Sequence, residues 1–157
     1  MFYLPLAGAI AVGDQVLKSR IEKEDPENFP RPVLHTKGTI WLYRNHNAGF
    51  PFGVLERQQE LVRLLPLTVT SGLAGALLGL LSRPGETGRK LGLAFVIGGS
   101  GSNLYDRFTR GYVVDYFSIR AGKLKEVVLN LGDLFVFTGA AVLFLCDMAG
   151  GIRRKSR

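Results

Sequence analysis

Cysteine is nearly absent from this chain: Cys146 is the single one in 157 residues. One thiol excludes an internal disulfide framework and a multi-thiolate metal centre, so the fold has to rest on packing and hydrogen bonding. Histidine is almost as scarce. His35 and His46 share one connector without HExxH or comparable ligand spacing, which predicts surface or structural roles and implies no metal. Charge is missing from long stretches too, with none between Arg63 and Arg83. A helix needs roughly 20 apolar residues to cross a bilayer, and a soluble core helix seldom needs so long an uncharged run.

The apolar residues that are present segregate into blocks separated by charged connectors. Four blocks read as spans, at about 2–19, 61–81, 91–107 and 131–152. The expected fold is a membrane all-α protein with a small β element: one domain over 1–157, built as a four-transmembrane-helix bundle with an extracytoplasmic β-rich surface segment. The first block lacks the charged segment that precedes the apolar core of a signal peptide, so it is expected to be a retained span.

Lys and Arg in short connectors stay on the cytoplasmic side. Arg83, Arg89 and Lys90 crowd one connector, and Arg153, Arg154, Lys155 and Arg157 crowd the C-terminus. Both termini are therefore expected in the cytoplasm, and the connectors over about 20–60 and 108–129 outside. The formal net charge of +7 marks a membrane surface here, not a nucleic-acid partner. Anionic lipid, or simple topology determination, accounts for the terminal cluster.

Polar residues inside apolar blocks are costly and need a reason. Asp14 and Lys18 lie four apart on one helical face, as an orienting ion pair or as groups facing a substrate. The small residues of 98–103 lack the Lys-Ser/Thr ending of a phosphate loop and suit close helix packing, as do Ser71, Gly75 and Gly79. That packing leaves Asn103, Asp106 and Arg107 facing one place at the end of the third helix. Thr39 to Arg44 favours a strand and Asn45 to Gly49 a turn, with Trp41, Tyr43, Phe50 and Phe52 at headgroup level, either as anchors or against a lipid-bearing substrate.

Two further carboxylates lie in the last third of the chain. Val113-Val114-Asp115-Tyr116 supplies one and Asn130-Leu131-Gly132-Asp133 the other, both towards the outer face. A carboxylate pair that shares a proton can activate water. The plainer role for Asp133 is a capping-box partner of Asn130. Asp133 in a first helical turn favours the anion, whereas Asp115 among Val113, Val114, Tyr116 and Phe117 favours the neutral acid.

In order along the chain, these motifs resemble the bacterial signal peptidase II family, the lipoprotein signal peptidases. Asp14-Gln15 with Lys18, Asn47-Ala48-Gly49 with Phe52, and Gly98-Gly99 through Asn103, Asp106 and Arg107 are similar to its first three motifs. Asp115 and Asp133 fall where the family carries its catalytic aspartates. Ser102, Tyr116, Leu129 and Gly132 depart from the usual Gly, Phe, Phe and Ala. The resemblance implies an aspartic endopeptidase of the bacterial cytoplasmic membrane, working near its outer face without a cofactor. Its implied substrates are diacylglyceryl-modified prolipoproteins, its surroundings membrane lipids, and its state a monomer. Asp14, Lys18, Asn47, Gly49, Asn103, Asp106, Arg107 and Asn130 are then expected to bind substrate or support the site. The alternative is a degenerate protein of the same fold that binds lipopeptides or lipids. An ion carrier using Asp14, Asp106 and Asp133 would need polar residues through the whole bilayer, whereas these cluster on one side.

Overall fold

The computed structural model describes residues 2–49, 57–122, 125 and 127–155, with side chains described as far as Ala149. Phe50, Phe52 and Arg157, and the side chains of Arg153, Arg154 and Lys155, lie outside the described residues. The chain is mostly helical: α1 Tyr3–Lys23, α2 Gln59–Leu81, α3 Thr87–Thr109 and α4 Leu131–Lys155, with strands β1 Arg31–Pro32, β2 Ile40–Asn47 and β3 Val113–Ile119. Gln59–Leu81 and Leu131–Ala149 are long and apolar enough to cross a membrane. Their outer faces carry Leu61, Leu64, Leu65 and Leu78 on α2, and Phe137, Phe144 and Leu145 on α4, all exposed. So large an apolar surface suits lipid rather than water.

α3 is the hub, packed against each of the other three helices. Its glycines explain why it can be. A Cβ at Gly98 would sit 2.7 Å from the Ala7 carbonyl oxygen, and one at Gly92 would sit 3.0 Å from that of Gly139. A Cβ at Gly139 would in turn meet the Gly92 oxygen at 2.6 Å, so α3 and α4 pack backbone to backbone. The stripe of Ser71, Gly75 and Gly79 on α2 does not do this. Those residues are exposed, and neither glycine has a neighbour for an added Cβ within 4 Å. α2 turns Leu77 inward instead, because side-chain burial and not backbone approach fixes its contact.

The three strands form one antiparallel sheet in the order β1-β2-β3. Asn45 to Asn47 continue β2 and are not the turn that their composition suggests. Asn45 pairs with Asp115, His46 with Val114 and Asn47 with Val113, so pairing with β3 overrides local turn preference. Ile40 pairs with Ile119 and Leu42 with Phe117, and the register shifts between Leu42 and Asn45. Side chains alternate along a strand, so this register puts Asn45, Asn47 and Asp115 on one face. Ile21, Val114 and Tyr116 form the small core beneath, with Leu42, Tyr112, Phe117 and Leu131 packed on it.

Candidate active site

Asp115 sits in mid-β3, and a single bridge brings the start of α4 beside it. Leu129 pairs with Phe117, its N–H donating to the Phe117 carbonyl at 2.8 Å, and the next residue is the N-cap Asn130. Asn130 Oδ1 accepts the Asp133 N–H at 2.9 Å, and Asp133 Oδ2 accepts the Asn130 N–H at 3.1 Å. That is a reciprocal capping box. The Asn130 amide is then left pointing at β3, where Nδ2 donates to Asp115 Oδ1 at 2.7 Å. One asparagine thus touches both carboxylates.

Two more asparagines complete the arrangement. Asn47 Nδ2 donates to Asp115 Oδ2 at 3.1 Å, and Asn103 Nδ2 donates to Asp133 Oδ1 at 2.8 Å. All four carboxylate oxygens therefore receive an N–H. Amide orientation is settled in each case by a group that can only donate: the Gly49 N–H on Asn47 Oδ1 at 3.1 Å, the Lys18 ammonium on Asn103 Oδ1 at 2.7 Å, and the Asp133 N–H on Asn130 Oδ1. Burial pushes the Asp115 carboxyl up to about 6, and the neighbouring Asp133 charge adds to it, against the amides of Asn47 and Asn130 and the Lys18 charge.

The 47–49 segment is held on several sides. Gln59 Nε2 donates to the Ala48 carbonyl at 2.9 Å, and Arg107 Nη2 donates to that of Gly49 at 3.3 Å. Behind Asn103 lies a buried ion cluster. Lys18, fully buried, contacts Asp14 at 2.9 Å and Asp106 at 3.0 Å. Asp106 also pairs with Arg110, which gives two carboxylates and two cations. Such a cluster is tolerated out of water because its charges balance and hydrogen bonds fill the remaining positions. Gln15 Nε2 donates to Asp106 at 3.0 Å, and Asp106 accepts the Val114 N–H at 3.1 Å.

Each expected site residue is thus in one connected network, with one correction. Asn103, Asp106 and Arg107 do not face the same place. Asn103 and Asp106 share the buried Lys18 ammonium, but Asn103 also reaches Asp133 and Asp106 is drawn to the Val114 amide of β3, whereas Arg107 reaches Gly49. Asp14 and Lys18 form the ion pair, buried away from any open surface. His46 is structural: its ring stacks on Tyr112 at 4.0 Å and its Nε2 lies 2.8 Å from Glu22. Gln15, Gln59, Arg110 and the hydroxyls of Ser102 and Tyr116 belong to the network without having been assigned roles from sequence. Four-residue spacing from Asp106 could have flagged Arg110. Gln59 and Tyr116 carry no such local signal.

The family model for signal peptidase (SPase) II matches residues 6–149. The chain belongs to the signal peptidase II family. It is 34% identical over 150 residues to the lipoprotein signal peptidase of Xylella fastidiosa (strain M12), covering 94% of this chain and 89% of that one. The corresponding protein of Allorhizobium ampelinum is 30% identical over 149 residues, with 95% and 88% covered. Among solved structures, a bacterial membrane enzyme determined by the in meso method at 2.3 Å resolution matches with a TM-score of 0.79 at 16% identity, over 99% of this chain and 93% of that one. A second, at 1.9 Å, gives 0.74 at 17% identity, over 92% and 91%. At that identity the likeness is one of fold, and it extends through both the helices and the sheet of this signal peptidase II chain.

Proposed function

We infer that this chain is a membrane aspartic endopeptidase that removes the signal peptide from prolipoproteins, and that Asp115 and Asp133 activate the water that cuts it. The observation that carries the dyad is the bridging Asn130, which caps Asp133 and hydrogen-bonds Asp115 with one side chain. Buried Asp115, with its raised carboxyl, is the neutral acid. Asp133, which accepts N–H bonds from Asn103 and from the Asn130 backbone, is then the partner that serves as the base.

Asp115 donates to the scissile carbonyl oxygen while Asp133 takes a proton from water, whose oxygen adds to the carbonyl carbon. A gem-diol forms. Its collapse breaks the C–N bond as the proton held by Asp133 passes to the leaving nitrogen, and a gem-diol hydroxyl proton returns to Asp115. The products are the signal-peptide carboxylate and the free amine of the mature protein. The pair titrates as a unit, so the two protonation states belong to the dyad rather than to one residue.

The substrate is the diacylglyceryl-modified precursor, cut before its lipidated cysteine. All four helices span the cytoplasmic membrane of a bacterium as one monomeric domain, with both termini inside and the sheet at the outer surface. There β3 and the first turn of α4 hold the dyad at the level where an exported, lipid-anchored precursor emerges. The test is incubation of the purified protein with a lipid-modified prolipoprotein and an unmodified control. Cleavage confined to the modified form is the expected result; binding without cleavage would identify a degenerate lipopeptide-binding protein instead.

A further inference from the structure

Ser102, Tyr116 and Gly132, from α3, β3 and α4, surround a single carboxylate, that of Asp14. Ser102 Oγ donates to Asp14 Oδ2 at 2.5 Å, and the Tyr116 hydroxyl donates to Oδ1 at 3.0 Å. A Cβ at position 132 would stand 3.0 Å from the same Oδ2, so glycine leaves the carboxylate its room. Asp14 Oδ1 also accepts the Leu131 N–H at 3.1 Å, and the Tyr116 oxygen lies 3.0 Å from that N–H.

Leu131 is the first residue of α4, and its amide is one of the donors that a helix leaves unpaired at its start. The N-cap Asn130 cannot serve it, because its oxygen is committed to the Asp133 N–H. Tyr116 and Asp14 close that gap from outside the helix. Tyr116 directly follows Asp115 in β3, so its ring ties the strand that holds one aspartate to the first turn of the helix that holds the other. Phenylalanine would fill the same space and leave the joint to Asp14 alone.

We propose that Tyr116 is a positioning residue for the reaction inferred above: its hydroxyl, with Ser102 steadying the far oxygen of Asp14, sets Asn130 and Asp133 against Asp115. This rests on the assignment of the dyad. Neither hydroxyl touches the reacting atoms.

The experiment uses the full chain in lipid, with Tyr116→Phe, Ser102→Ala and the double variant. Four quantities are read: kcat and KM on a lipid-modified precursor, thermal unfolding, and amide exchange across 130–133. Tyr116→Phe is expected to lower kcat about tenfold, the scale of one lost hydrogen bond to a charged group, with KM unchanged and exchange at Leu131 faster. The double variant should lose less than the product of the single losses, because both hydroxyls act through one carboxylate. A Tyr116→Phe protein with wild-type kcat overturns the proposal. So does one whose stability falls while each folded molecule keeps full turnover. If Ser102→Ala does not fold, Tyr116→Phe alone decides. A wild-type protein that never cleaves the precursor would sink the peptidase reading, and Leu131 exchange would still decide the joint: faster in Tyr116→Phe supports it, unchanged overturns it.

Discussion

Asn47→Ala tests the electrostatics of the dyad with a definite sign. In the folded protein the Asp115 carboxyl is pushed up to about 6, first by burial and then by Asp133, while the Asn47 amide at 3.1 Å works in the other direction by stabilising the anion. Removing that amide must raise the value further. A hydrogen bond to a charged acceptor is worth about 1.5–3 kcal/mol, and one pKa unit corresponds to about 1.4 kcal/mol, so the lower end gives a rise of about one unit. Asp115 acts as the protonated acid in this mechanism, so cleavage is lost as pH rises through its pKa. The descending limb of kcat/KM against pH should therefore move towards higher pH by about one unit in Asn47→Ala, even as the maximum falls because the 47–49 segment loses its anchor. The assay is cleavage of a lipid-modified precursor from pH 5 to 9 at saturating and limiting substrate. A limb that stays in place, or moves towards acid, would refute both the assignment of Asp115 as the acid and the role of Asn47.

Asp115→Asn and Asp133→Asn should each reduce cleavage by at least about 10²–10⁴-fold with folded yield maintained, since the amide keeps the size and loses the exchangeable proton; retained turnover in either would remove that residue from the dyad. Lys18→Met should lower stability by about 3–5 kcal/mol, read by thermal or denaturant unfolding in detergent, because it leaves the buried Asp14 and Asp106 short of a cation. Gly99→Ala should lower both melting temperature and turnover, because its Cβ would press on the Gly132 backbone and lie 3.0 Å from Val136; Gly101→Ala, with nothing within 4 Å, is the silent control. A reporter fused after Arg157 should read cytoplasm and one inserted near Gly122 should read exterior; the reverse pattern would carry the dyad to the wrong face for exported substrates.

What could be read from the sequence was what lies within one helical turn. The apolar blocks became helices, the four-residue spacing of Asp14 and Lys18 became an ion pair, and the capping box at Asn130 and Asp133 formed as spaced. What could not be read depends on contacts between distant segments. Asn47 meets Asp115 only because β2 pairs with β3 in one register, and that pairing turned an expected turn into strand. Asp106 shares a helix end with Asn103, but which way each points is decided by Lys18 on another helix. The stripe of Ser71, Gly75 and Gly79 has the same spacing as a packing motif, and only the placement of α2 leaves it exposed. Ser102 and Tyr116 gain their place only because Asp14, on another helix, accepts a hydrogen bond from each.

The three locked asparagines have a consequence for the barrier itself. In water, dipoles around a reacting carbonyl must turn as charge moves, and that reorganisation is a large part of the uncatalysed cost. Here none of the three amides is free to turn. Flipping Asn103 would set its NH2 against the Lys18 ammonium, and flipping Asn47 or Asn130 would set it against the backbone N–H of Gly49 or Asp133. The field at the two carboxylates is therefore fixed when the chain folds and does not have to be rebuilt at each turnover.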